Sequence, residues 1–185
     1  RRQDSEHEQA LIRIINCVVL TICTGVACYF GALELKVVYM YLASICFCIS
    51  IFVWISLSME TNHVRRLIGM LADVGTTTFA LTISGEAATP LIVVYFWANF
   101  GNGLRFGKNY LFANMSLNLV GFYIVSLYSP FWSKHTILSA GIIIALIVLP
   151  IYIGFLLKRL QSAIEAAESA NSAKSQFLAN MSHEI

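Results

Sequence analysis

Six long apolar runs, joined by connections of a few residues each, constrain this chain more than any other feature. They extend from about Ala10 to Phe30, Val37 to Leu57, Leu67 to Ser84, Pro90 to Leu104, Tyr110 to Tyr128 and Ile137 to Leu157. A helix needs about 20 mostly apolar residues to cross a bilayer, and most of the runs approach that length. Backbone polar groups in lipid must be satisfied internally, and the alternating pattern of a closed barrel is absent, so the runs are expected to be helices. Composition agrees: 58% of the 185 residues are apolar and 12% charged, with a mean hydropathy of +0.73. An ordinary water-soluble domain is excluded. The opening "RRQDSEHEQ" is polar and no small-residue cleavage pattern follows, so no signal peptide is expected.

The distribution of charge sets an orientation. With six crossings and both ends cytoplasmic, the inside holds Arg1, Arg2, Arg13, Arg65, Arg66, Arg105, Lys108, Lys158, Arg159 and Lys174, and the outside only Lys36 and Lys134. With five crossings and the N-terminus outside, the split is even. Lys and Arg favour the cytoplasmic side of short loops, so six crossings with a cytoplasmic N-terminus are expected. Tyr39, Tyr41, Tyr128, Phe131 and Trp132 then fall where an outer aromatic belt belongs. The fourth run is short and carries "NFGNG", which predicts a broken or re-entrant helix there. Cys17, Cys23, Cys28, Cys46 and Cys48 lie in apolar runs with no CxxC pair and no histidine at ligand spacing. They read as small membrane hydrophobes, and no metal site is expected.

Polar groups inside the membrane are the candidates for function. Asp73 lies seven residues after Arg66, about 10 Å from the inner end of its helix, and needs a partner. Arg105 closes the fourth run on the same side, so an Asp73–Arg105 pair is expected, either as structural glue or as the polar end of a ligand cavity. Asn99 and Asn102 offer amides beside it. Asn114 and Asn118, one turn apart, are placed to bond a neighbouring helix. Trp97 reads as packing and Glu86 as solvated. At the N-terminus, Asp4 or Ser5 is expected to cap the first helix, with Glu6 and Glu8 suiting its dipole.

After Leu157 the pattern becomes polar and alanine-rich, with no Gly or Pro, and reads as one helix leaving the sixth crossing. The series Leu157, Leu160, Ile164, Ala167, Asn171, Lys174, Leu178, Met181, Ile185 is a weak heptad seam. A second series, Ala163, Ala166, Ala170, Ala173, Phe177, runs one residue ahead of it. Two registers suit either a rod that passes on a small rotation or a permanent dimer stalk. His183 lies about 200° round the helix from the seam and is expected to be exposed. The organisation is thus 1–9 cytoplasmic N-terminal segment, 10–157 transmembrane sensor domain, 158–174 linker helix and 175–185 the start of a phosphotransfer domain.

That last assignment rests on a resemblance. "SQFLANMSHEI" resembles the phosphoacceptor box of bacterial sensor histidine kinases, with Phe177, Leu178, Asn180, Ser182, His183 and Glu184 at matching positions. The resemblance implies that His183 is the phosphorylated nucleophile, attacking the γ-phosphate of ATP through an unprotonated ring nitrogen. Glu184 would support it as a base. The ordered set "DSEH", "RRLIGMLAD", "GEAATPL", "GNGLRFG" and "NSAKSQFLANMSHE" is similar to the membrane region of Rpf-type sensor kinases, over nearly the whole chain. Those detect diffusible signal factors, cis-2-unsaturated fatty acids used in quorum sensing. Carried over by position, the resemblance points to Asp4, Ser5 and Glu6 for signal response.

The expected fold is therefore an all-α membrane protein: six transmembrane helices, the fourth short or broken, continuing into a cytoplasmic coiled-coil and phosphoacceptor helix. The expected setting is the bacterial inner membrane, multi-pass, with a cytoplasmic C-terminus. A homodimer, a fatty-acid signal, a response-regulator or phosphotransfer partner and the lipid itself are expected partners; nucleic acid is not. ATP and Mg2+ belong to the full-length kinase, and these residues are expected to be inactive alone. Arg105 is electrostatically the better partner for a fatty-acid carboxylate, reached laterally from the bilayer, into which the acyl chain partitions at about 0.8 kcal/mol per methylene. The alternatives are a transporter-like domain, suggested by the broken helix and Asp73, or a scaffold that only dimerises an attached output domain.

Overall fold

A computed structural model of the chain describes residues 5–57 and 62–183, with the backbone only for Ser5 and for 177–183. The described residues are helical, with no strand. The helices are α1 (Ser5–Tyr29), α2 (Leu35–Leu57), α3 (His63–Ser84), α4 (Ile92–Phe106), α5 (Lys108–Tyr128), the short α6 (Pro130–Lys134) and α7 (Thr136–His183). A 3-10 helix over Gly85–Leu91 joins α3 to α4. Among the described residues, five helical stretches are long and apolar enough to cross a membrane; one of them, His63–Phe106, contains both α3 and α4.

Within that stretch the two arms run antiparallel. Thr78 and Tyr95 share a hydroxyl hydrogen bond of 2.7 Å, and the Arg66 guanidinium lies 4.2 Å from the centre of the Phe106 ring. The start of α3 and the end of α4 therefore lie at one level. The reversal sits at Gly85, whose φ of +52° favours glycine. With its 3-10 lead the second arm is about 36 Å long, enough for a hydrocarbon core of ~30 Å. The break expected at Asn99–Gly103 is not there: α4 is continuous through "NFGNG". Gly103 instead permits close packing, since a Cβ on it would lie 2.6 Å from the Leu111 side chain of α5. The chain turns at Gly107, with φ +90°.

The bundle has two unlike ends. At one, the starts of α1, α3 and α5 meet the ends of α2 and α4, and Phe112 of α5 packs against Gly154 of α7. At the other, Tyr41, Leu81, Tyr95, Phe122, Trp132 and Leu146 form a buried apolar core. Phe122 meets Trp132 edge-on at 5.3 Å. Lipid tails are as apolar as these side chains, so this core is held by close packing rather than by removal from water. Tyr41 and Trp132 belong to it and are wholly buried, so the expected belt is corrected for both; Tyr39 and Tyr128 do stand on the outer surface. Other large apolar side chains, among them Ile22, Val53, Val120 and Ile151, cover the outside, which suits a lipid solvent.

α7 runs 48 residues without interruption from Thr136 to His183, tolerating Pro150 within it. From Lys158 to Gln176 every side chain is exposed, so the seam residues Leu160 and Ile164 have no cover within this chain.

Candidate functional site

Polar groups gather in the half of the bundle nearer the N-terminus, where α1, α3 and α4 meet. On α1, Gln9, Arg13 and Asn16 recur at helical spacing, forming a polar stripe. α3 answers with Gly69, Asp73 and Thr76, spaced in the same way. The stripes face one another through an ion pair: Arg13 Nε donates to Asp73 Oδ1 at 2.8 Å and Oδ2 at 2.9 Å. Gly69 makes room for it, because a Cβ there would lie 2.5 Å from Arg13 Nη1. Both side chains are largely buried. The expected Asp73–Arg105 pair is thus corrected: the cation comes from α1. Hydropathy alone places Arg13 near an interface and is blind to helix rotation, which turns it inward against α3.

A cavity of about 60 Å³ lies beside this pair, lined in part by Gln9, Asn16, Thr76, Asn102 and Arg105. Gln9 Nε2 donates to Asn102 Oδ1 and ties α1 to α4, while Asn102 Nδ2 donates to the Ala98 carbonyl at 2.7 Å. Arg105 lines the cavity half-buried, and no ion pair among the described residues involves it. It also lines a wide groove against α7 that includes Lys158, Gln161 and Glu165. Trp97, expected as packing, is 57% exposed at the cavity's lipid-facing edge. Asn99 lies outside the cavity lining. It is fully buried, as is Asn114 on α5, and neither amide has a hydrogen-bond partner. Asn118 does bond a neighbouring helix, donating to the Tyr95 carbonyl at 2.9 Å.

Nearer the end of the bundle, Glu6 is buried between two arginines. It accepts from Arg65 Nη2 and from Arg66 Nε at 2.6 Å. Arg66 also lies over Phe106 and reaches the Tyr110 hydroxyl at 3.4 Å, and His63 hydrogen-bonds the same hydroxyl. Glu6 lies in the first turn of α1, where an acid is expected, and also forms a cross-bundle clasp. Glu86, at the other end, is exposed as expected.

The remaining expected residues are placed less fully. Asp4 and Glu184 lie outside the described residues, Ser5 opens α1 with its backbone only, and the backbone of His183 ends α7. Among the described residues no three His, Cys, Asp or Glu side chains come together to hold a metal ion.

The chain is 40% identical over 186 aligned positions, its whole length, to the sensory/regulatory protein RpfC of Xanthomonas campestris pv. campestris, in each of two strains. It spans 26% of the length of these curated relatives. The resemblance to Rpf-type sensors is thus borne out across all 185 residues. No protein-family model matches the chain, and no solved structure matches it.

Proposed function

We propose that these residues are the membrane input and transmission module of a two-component sensor histidine kinase that detects a cis-2-unsaturated fatty acid and controls autophosphorylation at His183. The chain would cross the inner membrane six times, with its N-terminus and exit helix both cytoplasmic. The gathering of Glu6, Arg65, Arg66, Phe106 and Tyr110 at one end supports this. Removing Arg13 from the loop charges leaves nine against two, so the charge argument survives.

The observation that carries the reading is the single uninterrupted helix from the bundle to His183. About 39 Å of rigid rise separates Leu157 from His183, so a tilt or rotation imposed at the bundle is delivered to the phosphoacceptor. Arg13 and Asp73 neutralise one another, while Arg105 lines the cavity with no ion pair among the described residues and offers an anion a cation there. A carboxylate entering past Trp97 would meet Arg105, with the acyl chain left among the helices. Arg105 lines both this cavity and the groove along α7, so drawing it toward the ligand alters the charge facing Glu165. Glu6 acts in this scheme through the clasp that positions α1, and Asp4 and Ser5 are assigned to signal response by the resemblance alone. Homodimerisation would cover Leu160 and Ile164, and a response-regulator or phosphotransfer domain would receive the phosphoryl group.

The test is phosphate incorporation by the full-length protein in lipid nanodiscs, with and without a cis-2-unsaturated fatty acid. His183→Gln should abolish incorporation. Arg105→Gln should keep the basal rate and lose the response to fatty acid. A full response in Arg105→Gln would remove the cavity from the account, and incorporation in His183→Gln would remove the phosphoacceptor.

A further inference from the structure

Two thiols that the chain keeps 31 residues apart meet inside the bundle. Cys17 Sγ on α1 and Cys48 Sγ on α2 are 3.8 Å apart, in van der Waals contact and both buried. Cys23 and Cys46, by contrast, are exposed on the outer surface. Cys17 also lines the cavity that holds Arg13, one helical turn before it on the same face of α1. Arg13 is paired with Asp73, so the charges beside the thiol offset one another; what distinguishes the two sulfurs is access, since Cys17 and not Cys48 lines the cavity. A second thiol in contact provides what a reversible oxidation requires, a resolving sulfur.

The cavity restricts the oxidant. Its volume of about 60 Å³ admits a few water-sized molecules and is far below the ~150 Å³ that admits a benzene ring. Charged oxidants are held back by the bilayer. A hydrogen peroxide molecule is neutral, is the size of two waters and can hydrogen-bond the polar lining. We propose that Cys17 and Cys48 are a peroxide-reactive dithiol, Cys17 the attacking sulfur and Cys48 the resolving one.

The chemistry closes without another reactant. Cys17 Sγ attacks one peroxide oxygen; an S–O bond forms, the O–O bond breaks, and the thiol proton leaves with the departing hydroxide as water. Cys48 Sγ then attacks Cys17 Sγ. The S–S bond forms, the S–O bond breaks, and the second thiol proton leaves with that hydroxide as a second water. The two sulfurs together lose two electrons and the peroxide oxygens gain them. The product pins α1 to α2 beside the Arg13–Asp73 pair. Its formation is read on sulfur and does not depend on the kinase reading.

The experiment treats native membranes containing the full-length protein with hydrogen peroxide, blocks free thiols by alkylation and analyses peptides by mass spectrometry. The wild type should yield a disulfide-linked peptide containing Cys17 and Cys48. In Cys48→Ser, a sulfenic-acid trap should label Cys17, about tenfold more than it labels Cys48 in Cys17→Ser. Two outcomes would overturn the proposal. One is the absence of the linked peptide at peroxide doses that oxidise Cys23 or Cys46; the other is equal trapping at Cys48 in Cys17→Ser.

Discussion

The two ends of the bundle are stabilised by different physics. One end is a packed apolar core around Phe122, Trp132 and Leu146, where each side chain contributes through contact and shape. The other half is built from charges and amides drawn from helices distant in sequence: Arg13 to Asp73, Glu6 to Arg65 and Arg66, Gln9 to Asn102. In lipid the first kind of contact is graded by size, whereas the second is all or none. A buried charge that loses its partner has no water to replace it. The half that is easiest to break is therefore the half that adjoins the exit helix.

The largest expected effect separates these regimes. Asp73→Ala leaves Arg13 buried without its partner and should lower stability by about 3–5 kcal/mol, whereas the double variant Arg13→Leu/Asp73→Leu should recover most of the loss. Thermal unfolding in nanodiscs measures both, and a double variant no better than the single would show that the pair is not the unit. Trp132→Ala at the apolar end should cost less, at most about 3 kcal/mol, because packing and cavity terms remain but transfer from water does not. Gly69→Ala forces a Cβ against the Arg13 guanidinium and should cost about 1–3 kcal/mol. That loss should vanish in the background where Arg13 is already leucine. The smallest effect belongs to Asn118→Ala, about 0.6 kcal/mol for one interhelical hydrogen bond, read in the same melting experiment.

Much of the outer framework was legible in the sequence because it depends on length and hydropathy. The apolar runs became helices, and the absence of Gly and Pro after Leu157 became the unbroken exit of α7. Asn118 was legible too, as an amide placed to bond a neighbouring helix, whereas Asn114, of which the same is expected, has no hydrogen-bond partner. The partner of Asp73 was not. Choosing Arg13 over Arg105 requires the rotation of α1 about its own axis, which hydropathy does not encode; the spacing of Gln9, Arg13 and Asn16 against Gly69, Asp73 and Thr76 was the available signal. The glycines of "NFGNG" misled for a related reason. Gly103 serves close packing against Leu111 as well as it would serve a break, while Gly101 stands in open space. Tyr41 and Trp132 carry the chemistry of an interfacial belt, yet helix rotation buries them. The meeting of Cys17 with Cys48 lies beyond any spacing rule, because it joins two helices.

The contrast between the ends has meaning only if the polar end and the exit helix share the cytoplasm. Single cysteines at Ser5 and at the exposed Ser133, in a background whose five native cysteines are replaced, decide this with a membrane-impermeant thiol reagent on intact cells. The account predicts labelling at Ser133→Cys, and labelling at Ser5→Cys only after the membrane is permeabilised. Labelling at Ser5→Cys in intact cells would contradict it.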